Sequence, residues 1–165
     1  MSRETSPIEQ VARLVGAVFL LVGIAGFIPG ITTNLYSGLP FAGHEASAEL
    51  LGIFKVSVLH NLVHILFGVA GLALSRSLDG ARGFLLSGGT IYLVLWLYGL
   101  VIDQASSANF VPIDTADNWL HFVLGAAMVA LGLALGREAT RKPPSTRHRL
   151  TLKASPLPGS MEPGR

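Results

Sequence analysis

The chain has 165 residues, of which 13% are Asp, Glu, Lys or Arg and 50% are hydrophobic. Charged residues make up roughly 25% of an ordinary soluble domain, so this composition excludes that class and indicates a membrane protein. The net charge of +2 does not indicate nucleic-acid binding, because residues 1–136 hold five Lys/Arg against eight Asp/Glu and the basic excess lies in residues 137–165. The chain has no cysteine, which excludes disulfides, thiolate metal sites and a cysteine nucleophile.

Four long stretches of the chain contain no Asp, Glu, Lys or Arg. They are residues 14–44, 56–75, 83–102 and 118–136. Because a helix needs about 20 mainly apolar residues to cross the hydrocarbon layer, we expect four transmembrane helices. Their expected bounds are 11–29, 53–75, 82–103 and 117–136, after an N-terminal segment of residues 1–10. The expected fold is therefore an all-α, four-transmembrane-helix bundle over residues 11–136.

The distribution of basic residues predicts the orientation. Loops 30–52 and 104–116 contain no Lys or Arg, whereas the N-terminal region, the turn between the second and third helices and the C-terminal tail contain eleven of the twelve. Positive residues mark the cytoplasmic side, so we expect both termini inside a bacterial cell membrane and two acidic loops outside. Glu4 and Glu9, which precede the first helix, disfavour a cleaved signal peptide.

The tail, residues 137–165, is rich in Pro, Ser, Thr and basic residues. Such a composition cannot bury enough apolar surface to fold alone, so we expect this cytoplasmic tail to be disordered. Two roles are open: the tail fixes the topology only, or it contacts anionic lipid head groups. The candidate residues for the lipid contact are Arg141, Lys142, Arg147 and Arg149.

Polar and small side chains share one face on each of the last three predicted helices. On the second helix this face carries Ser57, His60, Asn61 and His64, followed by glycines. Small residues allow helices to approach closely in lipid, so these faces are expected to point inward. A short repeat, Asn-x-x-His-x-x-x-Gly, occurs at residues 61–68 and 118–125 and favours a tandem of two helix hairpins.

The inward polar cluster consists of His60, Asn61, His64, Asn118 and His121. It admits three interpretations. In the first, the side chains stabilise the bundle by hydrogen bonds or bind a small ligand or partner. In the second, His64 and His121 bind haem or a divalent metal ion. In the third, the histidines and Asp103 carry protons or ions.

The sequence favours a non-enzymatic protein without a cofactor. The spacing of His60 and His64 is that of a zinc-protease helix, but the general-base glutamate of that motif is missing. A redox or transport component is the alternative function. An enzyme that acts on lipid would have only Asp103, Asp117 and the histidines as acid and base.

Lys55 is the one basic residue expected within a predicted helix and away from the cytoplasmic side. We expect it on the side of the second helix opposite the histidines. Its ammonium group then either reaches the head groups or pairs with Asp103, Asp117 or Glu49.

Several unusual polar motifs occur along the chain. They are LVGAVFLLVG (14–23), GHE (43–45), ELLGIFKVSVLHNLVH (49–64), YLVLWLYG (92–99), NFVP (109–112) and ADNWLH (116–121). In these motifs the chain resembles the bacterial membrane-protein family known as domain of unknown function 4383, over about residues 11–136. The resemblance implies a four-helix integral membrane protein. It implies no reaction, substrate or cofactor, and the basic tail lies outside it.

Overall fold

The computed structural model describes residues 5–141, with side chains as far as Arg137. Four long helices make up most of it: α1 (Pro7–Ala25), α3 (Val58–Leu74), α4 (Leu78–Val101) and α5 (Thr115–Arg141). A short helix, α2 (Leu35–Gly38), and three two-residue strands lie between α1 and α3. The strands β1 (Thr32–Thr33), β2 (Glu49–Leu50) and β3 (Phe54–Lys55) form an antiparallel sheet in the order β1-β2-β3. The fold is all-α apart from this small sheet.

Helix α1 begins at Pro7 and ends at Ala25, whereas the sequence predicted residues 11–29. Ser6 and Glu9 form a capping box, in which the Ser6 amide donates to Glu9 Oε2 at 2.8 Å and the Glu9 amide donates to Ser6 Oγ at 3.4 Å. Proline at the first helical position is compatible with this start, since its missing N–H would have no partner there. Part of the predicted N-terminal segment 1–10 is therefore helical.

The second long helix begins at Val58 and not near residue 53, because the residues before it form the sheet. Ser57 caps α3, and its Oγ accepts from the His60 amide at 3.2 Å. The first two amides of α3, those of Val58 and Leu59, donate to the carbonyls of Pro40 and Phe41 at 3.0 and 2.9 Å. The first amides of a helix have no partner within that helix. Here the carbonyls of the preceding loop accept from them.

Helices α4 and α5 also differ from their predicted bounds of 82–103 and 117–136: both begin earlier, α4 ends two residues earlier and α5 ends later. Helix α4 begins four residues earlier because Ser77 Oγ accepts from the Gly80 amide at 3.1 Å. Helix α5 continues to Arg141, so residues 137–141 of the predicted disordered tail are helical. Residues 142–165, with the proposed head-group contacts of Lys142, Arg147 and Arg149, lie outside the described part of the chain.

Within the described part of the chain, three helices are long and apolar enough to cross a membrane: α1, α4 and α5 from Thr115 to Arg137. Helix α3 is apolar but shorter, with 17 residues, so the length criterion supports three of the four predicted spans. The outer surface of the bundle is apolar, with Leu14, Leu21, Leu66, Val94 and Val123 all more than half exposed. A bundle that shows leucine and valine outside and glycine, asparagine and histidine inside is typical of a multi-pass membrane protein.

The bundle consists of two tightly packed hairpins, α1 with α3 and α4 with α5. Glycines make both contacts close: Gly16 faces the backbone of Gly71, and Gly89 faces the carbonyl of Gly125. Helices α1 and α4 join the hairpins, with smaller contacts between α3 and α4 and between α1 and α5. The main apolar core lies where the hairpins meet: Ile8, Ala12, Phe19, Ala81, Phe84, Leu85, Tyr92 and Met128.

Gly68→Ala tests whether the glycine contacts hold the first hairpin together. The added methyl group would lie 2.5 Å from the Leu20 backbone nitrogen, so the helices must separate. We expect a loss of roughly 1–3 kcal/mol in the free energy of unfolding, measured by reversible denaturation in mixed micelles. Gly83→Ala is the control, because its methyl group meets nothing within 4 Å and alanine has the better helix propensity. Equal stability of the two variants would contradict the packing argument.

Candidate functional site

Helices α3, α4 and α5 bring three histidines and a tyrosine into contact. The rings of His60 and His64, one turn apart on α3, stack with their centres 4.3 Å apart. Tyr92 of α4 lies between the two histidine-bearing helices: its hydroxyl is 3.1 Å from His64 Nε2, and its ring meets the His121 ring edge-to-face at 4.8 Å. Tyr92 therefore connects the histidines of α3 to that of α5.

The hydrogen bonds of His64 define which atoms donate. His64 Nδ1 lies 3.0 Å from the His60 carbonyl, which can only accept, so Nδ1 carries a proton. An uncharged ring then has no proton on Nε2, and the Tyr92 hydroxyl must donate to it. Both protons are used within the protein, and the lone pairs of Tyr92 Oη remain available to accept.

Aromatic side chains close the cluster on the side toward the α3–α4 turn. Phe19 of α1 packs against His64 and Tyr92, with ring centres 5.6 and 5.4 Å apart. Phe67 contacts Phe19 at 5.9 Å, and Phe84 follows at 6.3 Å from Phe67. The polar groups therefore lie in one half of the bundle, above an apolar layer.

Asp117 lies at the other end of the cluster, near the sheet, with 3% of its surface exposed. Its Oδ2 accepts from the backbone amide of Lys55 at 3.1 Å, and its own amide donates to Asp114 Oδ1 at 2.8 Å. The prediction that placed Lys55 on a helix opposite the histidines is wrong, because Lys55 belongs to β3. The backbone amide of Lys55 contacts Asp117, whereas one predicted alternative was an ion pair between its ammonium group and that carboxyl group.

Asp103 does not join the histidines. It follows α4, which ends at Val101, and is exposed; its Oδ1 accepts from the Ala105 amide at 2.9 Å. This pattern is a local turn, so Asp103 is not placed to exchange protons with the cluster. Ser57 is fully buried and serves as the cap of α3.

The two asparagines of the repeated motif are buried and each packs on a glycine of its partner helix. Asn61 contacts Gly26, and Asn118 contacts Gly99, so closely that a side chain at either glycine would overlap the amide. Both amide atoms of Asn61 and the Oδ1 of Asn118 lack a hydrogen-bond partner among the described residues. These asparagines therefore lie at the interfaces within the two hairpins, α1 with α3 and α4 with α5.

Two cavities meet at the cluster, and His60, His64, Tyr92 and His121 line both. The α3–α4 cavity has a volume of about 230 Å³, and its other walls are Val63, Phe67, Ile91, Leu95 and Val111. The α1–α5 cavity has a volume of about 130 Å³ and adds Asp117 to apolar side chains of α1, α5 and the sheet region. Apolar walls with a few convergent polar groups are the usual form of a small-molecule site.

The geometry gives little support to a metal or haem centre. No group of three His, Asp or Glu side chains that could hold a metal ion occurs within residues 5–137. Tyr92 contacts both His64 and His121, the predicted ligand pair, and is hydrogen-bonded to the first. A haem held by these two histidines would have to displace the tyrosine and break its bond to His64.

The fold and the site define a class: a bundle of apolar helices with a buried polar cluster and adjoining cavities. Residues 9–134 match the family described as Domain of unknown function (DUF4383), so the chain belongs to that family, which confirms the resemblance. No curated protein and no solved structure matches the chain.

Tyr92, Asp117 and Phe19 contribute to this site although the sequence did not predict it. Tyr92 lies on the face of its helix that carries polar and small residues, which is the signal that could have included it. Asp117 was expected only as a partner of Lys55 or as an acid or base. Phe19 carried no signal, because it is one of many apolar residues on α1.

A double-mutant cycle tests the bond between Tyr92 and His64. Tyr92→Phe leaves His64 Nε2 without its donor, and we expect a loss of about 1–3 kcal/mol in the free energy of unfolding. Combined with His64→Leu, the cycle should give a coupling energy of roughly 0.5–3 kcal/mol. Tyr98→Phe is the control, since that hydroxyl donates to the Ala108 carbonyl, and its coupling to His64 should be near zero. Additive losses at Tyr92 and His64 would rule out the bond.

Proposed function

We propose that this protein is a four-span, non-enzymatic membrane protein that binds a small lipid-soluble ligand beside His60, His64 and His121. The observation that carries the proposal is the pair of cavities that share these histidines and are otherwise walled mainly by apolar side chains. The buried Asn and His side chains then have two different roles. The asparagines fill the contacts within each hairpin, and the histidines line the ligand site.

Several features support α3 as the fourth span. It packs closely against α1, and its 17 residues extend about 26 Å, a little less than the roughly 30 Å hydrocarbon core. The turn between α3 and α4 carries Arg76, and Arg82 lies near the start of α4, which favours both termini on the cytoplasmic side of the cell membrane. The basic tail, from Arg141 onward, would then face the anionic head groups of the inner leaflet.

The character of the ligand follows from the cavity walls. Val63 and Ile91, which line the α3–α4 cavity, are 42% and 44% exposed, so this cavity adjoins the surface that would face lipid. A ligand that enters from that surface must dissolve in hydrocarbon. The volumes lie below the roughly 300–1,000 Å³ of sites for drug-sized ligands, so the ligand is small, about the size of one substituted ring.

Transport and redox functions receive less support. A proton path across the membrane would need polar groups beyond the histidines, but Phe19, Phe67 and Phe84 close that side. Asp103, the predicted partner in proton transfer, lies in a surface turn. The redox function would require the haem arrangement that Tyr92 obstructs.

Cysteine labelling tests the proposed topology, and the chain offers a clean background because it has no cysteine. Ser37→Cys and Ser107→Cys lie in the two loops assigned to the outside, and Ser77→Cys lies in the α3–α4 turn; all three positions are exposed. In intact cells a membrane-impermeant maleimide should label the first two variants and label Ser77→Cys only after permeabilisation. Labelling of Ser77→Cys in intact cells would contradict the orientation.

Fluorine NMR with 4-fluorophenol in lipid bicelles tests ligand binding. We expect a saturable bound population with the wild-type protein, and its loss in the double variant Val18→Phe/Ile91→Phe, which fills the edges of both cavities. The matched control is Leu21→Phe/Val94→Phe, one turn away on the same helices and exposed outside both cavities. If the probe only partitions into lipid, with no saturable binding to wild type, the proposed function fails.

A further inference from the structure

The contacts of the first hairpin recur in the second at a fixed shift in residue number. Adding 73 to a position in α1 and 57 to a position in α3 gives the equivalent positions in α4 and α5. Gly68 packs on the backbone of Leu20, and the equivalent Gly125 packs on the backbone of Leu93. The two hairpins are therefore repeats in packing register as well as in sequence motif.

The same shift relates contacts that the short sequence motif does not include. Asn61 packs on Gly26 as Asn118 packs on Gly99, and Ser57 caps the amide of His60 as Asp114 caps that of Asp117. The contacts between the hairpins obey the same relation, since α3 meets α4 as α5 meets α1. Exchange of the two repeats thus maps the bundle onto itself, with α1 and α4 facing each other at its centre.

The two cavities are equivalent under this exchange. Each of the nine residues that line the α3–α4 cavity has its equivalent among the residues that line the α1–α5 cavity. Thus Ile91 corresponds to Val18, and Tyr92 corresponds to Phe19. Two unrelated packing defects would not give matching walls, so the cavities are two copies of one feature of the repeat.

The accessible walls of the two cavities are formed mainly by carbon atoms. In the α3–α4 cavity the histidine and tyrosine rings line the space together with Val63, Phe67, Ile91, Leu95 and Val111. The α1–α5 cavity has a carboxyl-bearing residue, Asp117, at the position equivalent to His60. Both cavities therefore suit a compact apolar ring compound.

We infer that the bundle contains two binding sites, one per repeat, and that both take a small, uncharged, lipid-soluble ring compound. This inference rests on the proposed function and adds to it the number of sites and the apolar chemistry of the ligand. His60 and Tyr92 line the α3–α4 site, and Asp117 and Phe19 line the α1–α5 site at the equivalent positions.

Single variants at equivalent positions test how many molecules bind to each chain. Ile91 and Val18 are 44% and 47% exposed and line one cavity each, so phenylalanine at either position fills one cavity at little cost to the fold. Titration with 4-fluorophenol should give two bound molecules per wild-type chain, and one for Ile91→Phe and for Val18→Phe. Leu21→Phe and Val94→Phe, tested singly, should each retain two.

A second probe tests the apolar character of the sites. 4-Fluoroanisole has the same ring but lacks the O–H donor, so it should also give two bound molecules per wild-type chain. Binding of 4-fluorophenol without any saturable binding of 4-fluoroanisole would overturn the assignment of an apolar ligand. A single bound molecule, lost in one variant and retained in the other, would overturn the second site and leave the proposed function standing. Absence of saturable binding to the wild-type protein would instead refute both.

Discussion

The close approach of helix backbones at glycine is the contact on which the rest of the structure depends. In lipid no hydrophobic force drives helices together, so their association relies on packing and on polar contacts between them. Gly68 and Gly125 allow each hairpin to close to backbone contact, and Gly26 and Gly99 leave room for a buried asparagine. The hairpins are tight for this reason, whereas the joint between them is looser and contains the cavities.

The polar cluster lies at that joint and depends on it. Tyr92 belongs to one hairpin and His64 to the other, so their hydrogen bond fixes how the two hairpins face each other. The bond also fixes the proton on His64. Because Tyr92 lines both cavities as well, we expect substitution at Tyr92 to change the stability of the bundle and the shape of the cavities together.

Much of the fold followed from the sequence because lipid imposes simple rules. Helix length, the absence of charge and the glycine faces predicted the helices, and the face shared by His60 and His64 predicted part of the site. The errors concern Lys55 and Asp103, whose positions depend on where a helix starts or stops. A sheet contact fixes the start of α3, and such pairing between distant residues is not visible in a local pattern. Which helices enclose a cavity is likewise a property of the assembled bundle.

The carbonyls of Pro40 and Phe41, which cover the first amides of α3, bear on how this protein is made. A segment of 17 residues is a weak signal for insertion on its own, and its exposed amides would raise the cost of entering lipid. Once the loop after α1 has folded, those amides are already paired. We therefore expect the first hairpin to form as one unit, in which the folding of the loop between α1 and α3 assists the placement of the helix that follows it.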